Sequence, residues 1–337
     1  MSVAPGPHNL ITDVAGIRVG NAEDAAVRTG VTVVLPERGA VAAVDVRGGA
    51  PGTRETDALD PTCLVPTVDA VVLSGGSSFG LEAGSAVMSW LAARGVGFPI
   101  GTVRVPIVPA AILFDLLNGG DKAWGESPPY ARLARAACAA AGDRFALGNA
   151  GAGLGARAGS LKGGLGSVSA VTPDGLQVGA LIAVNAMGDT VMPGQSCFWA
   201  WPFERQGELG GQSPPRAGVP ADEPLLASPF ARIGANTTIG VVATNAILDK
   251  AEAQRVAMMA QDGYARAIRP VHTPFDGDTI FVLATGTQAL PAPRNASLSR
   301  LGALAADCVA RAVARGVFAA ESLGALKSYR DWLKIRG

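Results

Sequence analysis

Asn236-Thr237-Thr238 stands at the head of an apolar run (Ile239, Val241, Val242, Ala243) that reads as a buried β-strand. A hydroxyl residue after a flexible Gly-Ala-Asn lead and before such a strand suits a chain that cuts itself. The Thr237 hydroxyl would attack the Asn236 carbonyl, shift the acyl group from nitrogen to oxygen, and let water finish the cleavage. Thr237 would then own a nucleophilic hydroxyl and a free α-amine, nucleophile and base in one residue. An α-amine titrates near pH ~8, so part of it is available as a base at neutral pH. The plain alternative is two β-formers opening a strand. The same letters spell a glycosylation sequon, as do Asn295-Ala296-Ser297, but the chain otherwise lacks secreted character and neither is read so.

Four other groups have chemical potential. Gly76-Ser77-Ser78-Phe79-Gly80 matches a nucleophile elbow centred on Ser78, between an expected strand and helix. Its base would have to be His272, the one histidine downstream; the alternative is a helix N-cap with glycines forming the turn. The stretch from Gly151 to Ala156 approaches a dinucleotide fingerprint, but the residues after it are too rich in glycine for the receiving helix and no acidic residue is suitably placed. Within the adjoining glycine-dense tract, Lys162 is the lone cation from 158 to 166. It could stabilise an oxyanion or keep a neighbouring amine neutral, or it could be a solvated loop lysine. Asp276-Gly277-Asp278 precedes the strand TIFVLAT, and in extended chain these two carboxylates face the same way. They could orient an ammonium, pass protons or hold a metal; a plain turn is the alternative, and ligands for a calcium loop are too few. Asn185 ends an apolar strand, where its amide could donate to an oxyanion or satisfy its own turn.

The elements that must position these residues alternate between strand and helix. Short β-rich runs with Gly and Pro punctuation fill 16 to 49 as hairpins. A strand, glycine turn and helix that stops before Gly95 come next, then an apolar, proline-punctuated stretch from 105 to 120, then a helix from Tyr130 to Ala141. A strand pair, Ser167 to Val171 and Val178 to Val184, flanks the turn Thr172-Pro173-Asp174-Gly175. From 199 to 233 the chain is Pro-rich and reads as an exposed, mobile loop. Beyond it come a strand over 239 to 244, a helix from Lys250 to Ala267, a strand from Thr279 to Ala284, a helix from Leu298 to Ala314, and a last helix beginning near Ala319. The alternation continues across the loop without a composition break, which argues for one α/β domain of 337 residues.

Composition narrows the function. Lys plus Arg and Asp plus Glu are both 28, so no basic excess exists to hold a phosphate backbone and nucleic-acid binding is disfavoured. Four dispersed cysteines and two histidines disfavour a Cys/His zinc site. The N-terminal residues lack signal-peptide character, and no apolar run reaches the ~18 residues of a membrane span. A soluble, cytoplasmic protein without cofactor is expected.

Taken together, AVDVRGGAPGTRETDAL (43 to 59), VVLSGGSSFGLEAG (71 to 84), GAGLGARAGSLKGGLGS (151 to 167), VNAMG (184 to 188), NTTIGVVATNA (236 to 246) and RPVHTPFDGDTIF (269 to 281) resemble one family nearly end to end. It is the L-aminopeptidase/D-esterase group, which includes β-peptidyl aminopeptidases and the nylon-oligomer (6-aminohexanoate-oligomer) hydrolases. The resemblance implies a four-layer αββα sandwich shared with ornithine acetyltransferases, a homotetramer, and autocatalytic cleavage between Asn236 and Thr237 into chains 1–236 and 237–337. Thr237 matches the nucleophile, Lys162 and Asn185 match residues around nucleophile and oxyanion, and Asp276 and Asp278 match the acidic pair of the nylon-oligomer branch. Where family members use a tyrosine near the oxyanion, this sequence has Phe114, with Tyr130 a weaker substitute. The implied activity is hydrolysis of peptides or amide oligomers through an acyl-enzyme. Its rivals are an aminopeptidase on short or β-peptides that needs a free substrate amine, an acyltransferase, and a non-catalytic binding protein.

Overall fold

Residues 2–215, 218 and 236–336 are described by the structure, a computed structural model. The strands in chain order are β1 (Ile17–Asp24), β2 (Thr29–Pro36), β3 (Val41–Val46), β4 (Thr53–Arg54), β5 (Val71–Ser74), β6 (Phe98–Ile100), β7 (Val103–Val105), β8 (Ala110–Ile112), β9 (Arg157–Ala158), β10 (Leu161–Lys162), β11 (Gly164–Val171), β12 (Gln177–Val184), β13 (Ile239–Ala246) and β14 (Thr279–Gln288). The helices are α1 (Glu82–Ala92), α2 (Tyr130–Ala139), α3 (Lys250–Ala260), α4 (Asp262–Ala267), α5 (Arg294–Ala319) and α6 (Tyr329–Arg336).

Side chains alternate across a strand, so a strand apolar on both faces must be covered on both. On β12, Val178, Ala180 and Ile182 join one cluster while Leu181 and Ala183 join another; on β13 and β14 the split is Val242, Ile280 and Val282 against Val241, Phe281 and Leu283. Two five-stranded sheets satisfy this pattern, β1-β2-β5-β8-β4 and β11-β12-β13-β14-β3. They meet across Val19, Val34 and Leu73 from the first and Leu181, Val241 and Phe281 from the second. Helices α1 and α2 cover the outer face of the first sheet, and α3, α4 and α5 that of the second. These are the four layers, α, β, β and α, that the sequence led us to expect.

Several boundaries differ from expectation. The third run of the N-terminal hairpin region, β3, leaves its neighbours and pairs antiparallel with β14 in the other sheet. The helix expected from Lys250 to Ala267 is two, divided at Gln261. Helix α5 runs from Arg294 to Ala319, so the last helix begins at Tyr329 and not near Ala319. The first part of the expected loop is anchored: Leu209 is buried, and Glu208 pairs with the buried Arg311 of α5 at 2.6 Å. Residues 216, 217 and 219–233 of that loop lie outside the described residues. No helix among those described is long and apolar enough to cross a membrane.

Two contacts matter for the site. Strands β13 and β14 are parallel neighbours, with Ile239 opposite Thr279, and α3 and α4 form the crossover between them. Asp249 starts that crossover by accepting from Glu252 N while the Glu252 side chain accepts from Asp249 N, a capping box. Helix α5 lies close on β11, where a Cβ at Gly166 would stand 1.9 Å from the Ala312 carbonyl oxygen. Gly166→Ala is therefore expected to lower unfolding free energy by about 3 kcal/mol, read as an earlier denaturation midpoint. An unchanged midpoint would contradict the close approach.

Candidate active site

The parallel register continues past the strand ends. An isolated bridge pairs Asn236 with Asp276, so Asn236-Thr237-Thr238 lies alongside Asp276-Gly277-Asp278. Gly277 N donates to Asn236 O at 3.1 Å, and Thr279 N donates to Thr238 O at 3.1 Å. Both tripeptides carry buried side chains. Gly277 stands opposite Thr237, and a Cβ there would meet Thr237 Oγ1 at 2.8 Å and Ala50 O at 2.7 Å. Only a glycine leaves the Thr237 hydroxyl its place.

That hydroxyl donates to the carbonyl oxygen of Asn236, while the Thr237 N–H donates to Asn185 O. The Asn236 oxygen thus takes two donors, the hydroxyl and the Gly277 N–H. A backbone N–H fixed on a carbonyl oxygen polarises it and is already in place for a developing oxyanion. The glycine between the two aspartates offers this donor, a role that sequence reasoning did not assign to it.

The carboxylates hold backbone. Asp278 Oδ1 accepts from Thr238 N at 2.9 Å, and its Oδ2 lies 3.1 Å from His272 N and 2.9 Å from His272 Nδ1. Asp276 accepts from Thr273 N at 3.0 Å, Thr273 Oγ1 at 2.6 Å and Met187 N at 3.2 Å. Burial, together with the neighbouring charge of Asp278, raises Asp276 to about 6. The 47-to-50 segment straps the pair down, Arg47 N donating to Asp278 O at 3.0 Å and Ala50 N to Asp276 O at 2.8 Å. His272, the candidate base for Ser78, instead has its ring on Asp278, and its backbone sits at φ 56°. Ser78 lies exposed on the turn Ser77–Leu81. Its elbow has lost its only downstream base to Asp278.

Asn185 meets Thr237 through its backbone carbonyl. Its Oδ1 accepts from Arg157 N at 3.0 Å and its Nδ2 donates to Phe114 O at 3.1 Å. Lys162, far from solvated, is fully buried on β10, and its Nζ donates to Gly153 O and Gly163 O, each at 2.9 Å. Burial lowers it to about 7 against the opposing pull of Asp115. Its amine does not touch Thr237; the other four sequence-predicted catalytic residues and Asn236 are gathered here. The Gly151–Gly153 stretch is a buried turn packed on β11, where Gly148 and Leu165 exchange backbone hydrogen bonds. Tyr130 is buried with its hydroxyl unpartnered among the described residues, while the ring of Phe114 lines a pocket. This pocket, of about 480 Å³, reaches Asn185 and Asn236 and is bounded by Arg28, Arg157 and Leu326.

The sequence matches peptidase family S58 over residues 9–330. The chain belongs to that family. An uncharacterised aminopeptidase of Mycobacterium tuberculosis (strain ATCC 25618 / H37Rv) is 47% identical over 342 residues, 96% of this chain and 97% of its own. A 6-aminohexanoate-oligomer endohydrolase of Agromyces sp. (strain KY5R) is 30% identical over 316 residues, 88% of this chain and 80% of its own. Among solved structures, a Burkholderia sp. beta-aminopeptidase superposes at TM-score 0.74 with 25% identity, over 100% of this chain and 96% of that one. The L-aminopeptidase D-Ala-esterase/amidase of Ochrobactrum anthropi, described as a variant of the Ntn hydrolase fold, superposes at 0.73 with 21% identity, over 98% and 94%. This S58 chain is thus a hydrolase of the peptide- and amide-cleaving class on an Ntn-hydrolase fold.

The buried amine of this S58 protein yields a pH prediction. Lys162 titrates near 7 in the folded chain against an ordinary 10.5, so between these values unfolding takes up a proton. Burial of the amine therefore weakens the fold most below pH 7, and the penalty fades toward pH 10.5. The stability of Lys162→Met relative to the parent should fall by about 1 kcal/mol per pH unit as pH rises through that window. Parallel stability–pH curves for the two proteins would refute the assignment.

Proposed function

We propose that this S58 hydrolase cleaves its own Asn236–Thr237 bond and then hydrolyses linear amide bonds with the exposed Thr237. The observation that carries this reading is the Thr237 hydroxyl on the Asn236 carbonyl oxygen, with the Gly277 N–H on the same atom. In processing, Oγ1 attacks the Asn236 carbonyl carbon, the Gly277 N–H steadies the oxyanion, the bond to the Thr237 nitrogen breaks as that nitrogen takes up the hydroxyl's proton, and water hydrolyses the resulting ester. Chains 1–236 and 237–337 of one domain result. In turnover, the same hydroxyl attacks a substrate carbonyl while the Thr237 α-amine takes its proton. Asn185 O, which holds the Thr237 nitrogen, keeps that amine oriented. Asp278 holds Thr238 and so the position of the nucleophile, and Asp276 fixes the turn beside it. Lys162, able to lose its proton near neutrality, adjusts the field without touching the nucleophile.

A second reading is an aminopeptidase that requires a free substrate amine, favoured by the 47% identity to a relative of that name. Hydrolysis of a free-amine peptide and of its N-acylated twin separates the two. Cleavage of both supports the broader amidase; cleavage of the free amine alone supports the aminopeptidase.

Intact mass under denaturing conditions tests processing. The parent should give two chains, one ending at Asn236 and one beginning at Thr237, and Thr237→Ala a single inactive chain. A cleaved Ala variant would remove Thr237 from the mechanism. Asp278→Asn, which keeps an acceptor for Thr238 N but changes what faces His272, should slow processing and turnover at least about tenfold. Parent-like rates would remove Asp278 from the site.

A further inference from the structure

The pocket beside Asn236 carries a cation that the hydrolytic chemistry leaves without a role. Arg28 closes the turn between β1 and β2 at φ 56°, a left-handed conformation uncommon for a side-chain-bearing residue. Its Nη1 donates to Asn118 O at 2.9 Å, and Asn118 Nδ2 donates back to Arg28 O at 2.6 Å. Two glycines hold the guanidinium from the sides: a Cβ would stand 2.6 Å from Nη1 at Gly324 and 3.1 Å at Gly119. Behind it, Lys122 Nζ donates to Asn118 Oδ1 at 3.1 Å and adds positive charge. Among the described residues, Arg28 Nε and Nη2 have no hydrogen-bond partner.

The rest of the wall fits the same ligand chemistry. A second guanidinium, Arg157, lines the pocket. The one carboxylate in the described lining, Asp115, already accepts from Thr29 Oγ1 at 2.6 Å and Gly76 N at 2.8 Å. Among the described lining residues no acidic group is left to receive a substrate ammonium, whereas a planar guanidinium edge with two N–H groups matches a carboxylate. Phe114, Leu117, Leu323 and Leu326 supply apolar surface for an aliphatic stem.

We propose that Arg28 binds the carboxylate of the amide substrate, making linear amides that carry a free carboxylate the preferred class. The assignment rests on the hydrolase reading of this pocket. Calorimetric titration with N-acetyl-6-aminohexanoate and with its neutral carboxamide tests it on the full chain. The carboxylate should bind the parent about tenfold more tightly than the carboxamide, the scale of one charge-assisted pair. Arg28→Gln should bring that ratio close to one, and Arg28→Lys should retain part of it, a point charge in place of a fork. Equal affinities in the parent, or an undiminished ratio in a folded Arg28→Gln, would overturn the assignment. Turnover of the same two compounds reports separately on the hydrolase reading. A carboxylate preference in binding that Arg28→Gln abolishes, with neither compound cleaved, would keep Arg28's role and remove the hydrolytic one.

Discussion

The parallel pairing of β13 with β14 is the constraint on which the site depends. Two strands running the same way begin at the same edge of the sheet, so the residues before each are neighbours whatever their separation in sequence. The register then decides which atoms meet. Ile239 opposite Thr279 brings Asn236 to Asp276 and leaves Thr237 facing Gly277. A slip of one residue would turn Thr237 to the other face and set a carboxylate-bearing residue against it. The register is itself secured by the two-faced burial of both strands, with Val241 and Phe281 between the sheets and Val242 and Val282 under the helices.

The ionisable groups of the site are held by backbone more than by each other. Asp278 takes N–H groups from Thr238 and His272, Asp276 from Thr273 and Met187, and Lys162 gives its protons to two carbonyls. A charge removed from water is tolerable when fixed dipoles replace its hydration shell. The compensation is incomplete, and the shifts of Asp276 and Lys162 toward neutrality record the remainder. Both groups therefore change charge within a few units of neutral pH, where acid–base chemistry on an amine nucleophile is possible.

Much of the architecture was legible in the pattern of residues, because two-faced apolar strands and glycine-bounded helices are local features. Asn-Thr-Thr and Asp-Gly-Asp could be singled out in the sequence, but their contact could not: nothing local to either tripeptide encodes a parallel neighbour across a helical crossover. Lys162 illustrates the opposite difficulty. A lysine among glycines reads as a solvated loop, and only tertiary packing reveals that the glycines bring backbone carbonyls close enough to hold its amine. His272 was visible but attached to the wrong partner, since the left-handed turn that directs it onto Asp278 has no glycine to mark it. Glu208 was lost in a proline-rich stretch because its anchor, Arg311, belongs to a helix far along the chain.

The strand order has a topological consequence. In the second sheet β13 and β14 lie between β12 and β3, so the portion after Thr237 is inserted between strands belonging to the portion before it. A break between Asn236 and Thr237 would sever one covalent bond while leaving every ladder hydrogen bond of that sheet in place. The two fragments would stay interlaced, and separating them would require stripping the β13–β14 pair from β12 on one side and from β3 on the other. A nicked molecule would migrate under native conditions as one particle of unchanged size.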